Sequence, residues 1–192
     1  MKYYHEHKTE KLAIVFHGSG ADEMDLVPLV TELLPNHSIL SIRGTITDRG
    51  TLRYFSWPIN GVFDENEITQ NAEQIYEFLQ NWLTKYKSHT YIGYSNGANM
   101  IGALMQVYPE IVQHAVLLHP LQVYPHSKPL NARVILTYGA HDSMITPTQT
   151  IQYSKFLTKH GAQVTLREFE SGHEITSIEI QTVRELLNRT TE

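Results

Sequence analysis

The chain has 192 residues, 41% of them hydrophobic and 18% charged, and it contains no cysteine. A chain of this length suits one domain and buries roughly 70% of its unfolded surface, so its core needs no disulfide or metal staple. The lack of cysteine excludes disulfide frameworks, thiolate zinc sites and a cysteine nucleophile. Lys+Arg number 15 against 20 Asp+Glu, for a net charge of -5, and the basic residues are scattered, which speaks against a nucleic acid partner. Met1 to Lys11 is polar with no apolar stretch behind it, and the apolar runs reach about five residues, against the ~20 that cross a bilayer. The expectation is one cytoplasmic domain over residues 1–192 with no integral membrane association; a homodimer stays open.

Short apolar runs alternate with longer amphipathic stretches, the pattern of βαβ units around a mostly parallel sheet. Lys2 to His7 reads as an edge strand and Leu12 to Phe16 as a buried one, followed by His17-Gly18-Ser19-Gly20. Asp25 is the expected N-cap of a helix over Leu26 to Leu34, and Ser38 to Ile42 is the next strand. Gly44 to Glu65 shows no clean period, is rich in aromatics and reads as a long functional loop. Glu67 to Tyr86 is the clearest helix, its stripe running from Ile68 through Ala72, Ile75 and Leu79. Thr90 to Tyr94, Ala115 to Leu118, Arg133 to Tyr138 and Gln163 to Phe169 read as strands. Helices are expected over Asn96 to Tyr108, Pro147 to His160 and Ile175 to Asn188. The expected architecture is a doubly wound three-layer α/β sandwich with ligands at the C-terminal strand ends.

Gly93-Tyr94-Ser95-Asn96-Gly97 matches G-x-S-x-G, with an apolar strand entering it and a small-residue helix leaving it. Such a tight strand-to-helix turn strains the serine backbone and lifts its Oγ above the sheet, with glycine where side chains would collide. A serine hydroxyl is a weak nucleophile and needs a base held by a third group. In chain order the acid and base follow the serine, each after a late strand. Asp142 stands after Arg133 to Tyr138, and His173 stands after Gln163 to Phe169. The expected catalytic set is therefore Ser95, His173 and Asp142. Two fixed donors would hold the oxyanion: the N–H of Asn96, behind the nucleophile, and that of Ser19 in the first turn, with Gly20 next.

Other readings of these motifs exist. Gly18-Ser19-Gly20 could open a dinucleotide fingerprint, but its third glycine would have to stand where Glu23 is. His5 and His7 share a strand face and could chelate a metal, yet nothing between them completes a ligand set. Neither a metal nor a cofactor is expected.

Taken together, His17-Gly18-Ser19-Gly20-Ala21-Asp22-Glu23, Arg43-Gly44, Gly61-Val62-Phe63-Asp64, Gly93-Tyr94-Ser95-Asn96-Gly97-Ala98-Asn99, His141-Asp142 and Ser171-Gly172-His173 resemble the phospholipase/carboxylesterase family, the small α/β hydrolases that include acyl-protein thioesterases. The resemblance runs over essentially the whole chain. It implies an α/β-hydrolase fold without a large cap domain, acting on carboxylic esters or thioesters without metal or cofactor. It puts nucleophile, acid and base at Ser95, Asp142 and His173, and the oxyanion donors at Ser19 and Asn96. Asn96 and Ser19 depart from the Gln and Leu-like residues of many thioesterase members, so the chain is more similar to the bacterial carboxylesterase branch.

Tyr54, Phe55, Trp57 and Phe63 are candidate pocket walls, and His119 a candidate for the pocket floor. The alternative for the aromatics is anchorage of the loop on the core. Asp22, Glu23 and Arg43 are expected to organise loops through ion pairs. The expected function is hydrolysis of small-molecule esters with small to medium acyl chains through an acyl-enzyme on Ser95. Thioesterase or lysophospholipase activity is the runner-up, and a non-catalytic binding module that keeps the fold is the reading of a different class.

Overall fold

The computed structural model describes residues 1–189. Its centre is the strand β2 (Lys11–Phe16), whose side chains alternate between two apolar layers. Leu12, Ile14 and Phe16 face one layer, and Ala13 and Val15 the other. A strand buried on both faces reads as an unbroken apolar run, which is why period-two alternation is invisible in its sequence.

From β2 the chain winds outward in both directions. Helix α1 (Val27–Leu33) leads to β3 (Ser38–Ile42), which pairs parallel to one side of β2. Helix α2 (Glu65–Leu83) leads back to β6 (Ser88–Tyr94) on the other side. The sheet continues through β7 (His114–Leu118), β8 (Arg133–Gly139) and β9 (Gln163–Phe169), all parallel. β1 (Tyr3–Glu6) adds antiparallel to β3 at the far edge, giving the order β1-β3-β2-β6-β7-β8-β9. Buried residues of α2, of α3 (Asn96–Val107) and of α4 (Pro147–Lys159) join one layer; those of α1 and of α5 (Ser177–Arg189) join the other. The result is the expected doubly wound three-layer sheet. Strand order reverses between β2 and β6, and a crevice opens above the C-terminal ends of strands at such a point.

Several local expectations are corrected. Helix α1 is capped by Leu26 with no side-chain bond, not by Asp25, whose amide instead closes a turn onto the Asp22 carbonyl. Asp64 caps α2 by accepting from the amides of Asn66 and Glu67, so that helix starts two residues before Glu67 and ends at Leu83, before Tyr86. Residues 44–65 are not wholly irregular. They contain a hairpin of β4 (Ile46–Asp48) and β5 (Thr51–Arg53), turned by Arg49 and Gly50, both at positive φ. Two consecutive left-handed residues match the twist of the flanking strands. No described helix is long and apolar enough to cross a membrane.

Candidate active site

Ser95 sits between β6 and α3 with φ 51° and ψ −117°, a strained conformation for a residue with a Cβ. The strain is enforced from both sides. A Cβ on Gly93 would lie 2.7 Å from Ile101 Cδ1 and 2.8 Å from the Ala98 nitrogen, while one on Gly97 would strike the carbonyl oxygens of Phe16 and His17. The helix can therefore approach β2 closely enough to pin the turn, and the Ser95 amide is tied to the Leu118 carbonyl at 2.9 Å.

Asp142 and His173 arrive on the loops after β8 and β9. Backbone bonds lace these loops together, from Ala140 N–H to Phe169 O (2.7 Å) and from His141 N–H to Ser171 O (2.9 Å). His173 Nε2 lies 2.9 Å from Ser95 Oγ, and its Nδ1 lies 2.6 Å from Asp142 Oδ2. A carboxylate only accepts, so the proton sits on Nδ1, and Nε2 faces the serine hydroxyl with a free lone pair. The structure thus brings together three side chains from three loops in the expected order. Tyr94, the residue before the serine, donates from its hydroxyl to the His173 carbonyl at 2.7 Å and steadies the histidine loop.

Asp142 is buried, which by itself would raise its pKa. The amides of Ile145 and Met144, each 2.9 Å from Oδ1, and the His173 imidazole outweigh that and hold the carboxyl below its ordinary value.

Asp142 Oδ2 also meets Nδ1 of His119 at 3.3 Å, and the other nitrogen of His119 meets Oε2 of Glu179, on α5, at 3.2 Å. His119 is therefore a fully buried support behind the acid, and the expectation that it forms the pocket floor is corrected. Burial alone would lower its pKa, but the carboxylates of Glu179 and Asp142 raise it above the usual histidine value. A carboxylate at each nitrogen favours the imidazolium, which can donate from both.

The donor atoms of His119, Asp142 and His173 lie within 4.8 Å of one another, the one such grouping among the described residues. They are already joined to each other and to Ser95, so a metal would have to break those bonds. His5 and His7 both turn to the Tyr86 hydroxyl, at 2.8 and 3.4 Å.

The first turn is braced at several points. His17, fully buried, accepts from the Gly44 N–H at Nε2 (3.0 Å) and so donates from Nδ1 to the Gly18 carbonyl (2.7 Å). The Gly20 amide donates to the Leu52 carbonyl at 2.9 Å, while Ser19 Oγ accepts from Arg53 Nη1 at 2.5 Å. Asp22 pairs with Arg43 at 2.8 Å, and Glu23 pairs with the same guanidinium, as expected of loop-organising residues. Burial would raise the Glu23 carboxyl, but the Arg43 bond prevails and brings it down to about 2.

A cavity of about 160 Å³ opens at Ser95 and His173, walled by Trp57, Phe63, Leu121 and Ile145, with Ser19 and Arg53 at its edge. Trp57 and Phe63 thus border this cavity. Tyr54 and Phe55 do not: they lie 2% and 1% exposed in the core, Tyr54 donating from its hydroxyl to the Ile42 carbonyl. The Tyr54 amide donates to Asn96 Oδ1 at 2.8 Å, so this pair anchors the hairpin onto the start of α3. A hollow of about 320 Å³ bordered by His114, Arg133 and Gln163 lies at the opposite end of the sheet, away from Ser95. Arg53, Tyr94 and Glu179 escape sequence reasoning. Only Glu179 leaves a trace there, as an acid four residues before Val183 on an otherwise apolar helix stripe.

Sheet order, strained serine and converging loops define an α/β hydrolase. The sequence profile of the Phospholipase/Carboxylesterase family matches residues 4–191, and the chain belongs to that family of carboxylic ester hydrolases. Among solved structures it is similar to the Bacillus cereus carboxylesterase, with a TM-score of 0.89 and 28% identity over 98% of this chain and 94% of that one. The Mesorhizobium loti carboxylesterase superposes with a TM-score of 0.86 at 30% identity, over 94% and 90% of the two chains. The protein MhqD of Bacillus subtilis (strain 168) is 27% identical over 193 residues, 96% of each chain.

Proposed function

We propose that the chain hydrolyses small-molecule carboxylic esters of small to medium acyl chains through an acyl-enzyme on Ser95. The observation that carries this reading is the 2.9 Å approach of Ser95 Oγ to His173 Nε2, with Nδ1 of the same ring 2.6 Å from Asp142. His173 takes the hydroxyl proton as Oγ attacks the carbonyl, and Asp142 fixes the tautomer and stabilises the imidazolium formed. The imidazolium protonates the leaving alcohol, and the neutral ring then activates water to release the acid.

Negative charge on the carbonyl oxygen falls to the Asn96 amide, which opens α3 and has no helical partner, and to the Ser19 amide. Gly20 is unsuited to that task because its N–H is engaged by Leu52. The cavity of about 160 Å³ is below the ~300 Å³ at which drug-sized pockets begin, which supports short acyl groups.

Hydrolysis of a chromogenic acetate or butyrate ester by Ser95→Ala tests the reading. A loss of more than about a thousandfold in kcat is expected; activity within about tenfold of the unaltered protein would exclude Ser95 as the nucleophile.

A further inference from the structure

We propose that Arg53 is a specificity residue that binds a carboxylate carried by the substrate, so that the preferred esters are half-esters of short dicarboxylic acids; this rests on the esterase reading of Ser95. Arg53 ends β5 and is 3% exposed, yet it borders the same cavity as Ser95 and His173. Its guanidinium is fixed in place. Nε donates to the Phe55 carbonyl at 2.9 Å, Nη1 donates to Ser19 Oγ at 2.5 Å, and the Trp57 ring lies 3.8 Å from its central carbon.

Those two bonds use two of the five N–H groups that a guanidinium offers. Among the described residues no carboxylate lies within 4 Å of it, whereas Arg43, on the neighbouring loop, holds both Asp22 and Glu23. The acids whose fields reach Arg53 are Asp48 and Glu67. Both are engaged elsewhere: Asp48 accepts from the Trp57 amide at 2.8 Å, and Glu67 accepts from the Ser56 amide and hydroxyl, each at 2.8 Å. A buried charge without a counter-ion is costly, and a purely structural arginine would be expected to have one.

The missing partner fits the site. A guanidinium presents a planar fork that matches a carboxylate, and here it lies beside the loop where the ester oxygen would be held. Among the described residues Arg53 is the only arginine or lysine bordering the cavity, which suits a single negative charge. The small volume of the cavity places that charge only a few bonds from the scissile carbonyl.

The test compares kcat/KM for monoethyl succinate and monoethyl glutarate with that for their terminal-amide counterparts, which keep shape and lose charge. The unaltered protein is expected to prefer the acids at least about tenfold. In Arg53→Gln both kinds of ester slow, because Ser19 loses its brace, but the acids slow at least tenfold more; Arg53→Lys keeps part of the preference. No preference in the unaltered protein, or equal losses for acid and amide in Arg53→Gln, would overturn the proposal.

Calorimetric titration with succinate, and with succinamide as control, reads the subsite without turnover and needs no variant to fold. Succinate binding without hydrolysis of any ester would sink the esterase reading and leave the subsite standing. Hydrolysis of neutral esters with no succinate binding and no acid preference would do the reverse.

Discussion

His119 Nε2 donates to Glu179 Oε2 across 3.2 Å, and neither residue is exposed to solvent. The bond joins the helix α5 to the back of the acid that orients His173, because the other His119 nitrogen reaches Asp142. The positive φ of His119, 50°, is the conformation that aims its ring into this space.

A pH dependence follows from this pair. The folded pKa of His119 is raised above the ~6.5 of an unfolded chain, so its stabilising contribution is complete below about 6.5. That contribution is lost as pH rises through the folded value. The urea midpoint of the unaltered protein should therefore fall more steeply, as pH rises above about 6.5, than that of the double variant His119→Asn/Glu179→Gln. Asparagine tolerates positive φ, and the double change strands neither charge. Parallel pH dependences for the two proteins would contradict the assignment.

Asn96→Ala tests the anchorage of the hairpin. The change leaves the buried Tyr54 N–H without its acceptor, which costs about 1–3 kcal/mol. Scanning calorimetry should register this as a drop in Tm of about 2–4 °C per kcal/mol. An unchanged Tm would mean that the bond contributes nothing.

Gly97→Ala tests the elbow. Its Cβ would strike the backbone carbonyls of Phe16 and His17, which cannot swing aside as a side chain would. A loss of about 1–3 kcal/mol is expected from such overpacking, seen as a lower urea midpoint. A midpoint equal to that of the unaltered chain would show that the close approach of α3 to β2 is not what holds the turn.

The parts of this molecule that sequence reveals are those in which local pattern and chain order carry the information. Leu12 to Phe16 announces a central strand because both of its faces are buried, and the stripe from Ile68 to Leu79 announces α2. Ser95 is visible because steric rules force glycine at fixed offsets around it, and Asp142 and His173 because chain order places them on the loops after β8 and β9. What stays hidden depends on long-range contact. Tyr54 and Phe55 look like pocket walls, yet their rings fold into the core while Trp57, two residues on, borders the cavity. Three-residue strands such as Ile46–Asp48 are too short to show a period. Arg53 and His119 have ordinary neighbours in sequence, and only the three-dimensional structure shows that, among the described residues, one has no carboxylate within 4 Å and the other has two.

If Ser95 is an activated nucleophile, covalent capture reads that reactivity without a substrate. Folded protein is incubated with a fluorophosphonate probe, digested and analysed by peptide mass spectrometry. One adduct per chain, on the peptide containing Ser95 and greatly slowed in His173→Ala, is the expected result, since the imidazole 2.9 Å away must take the hydroxyl proton. An unmodified Ser95 in folded protein, or labelling at the same rate without His173, would rule out a serine activated by that imidazole.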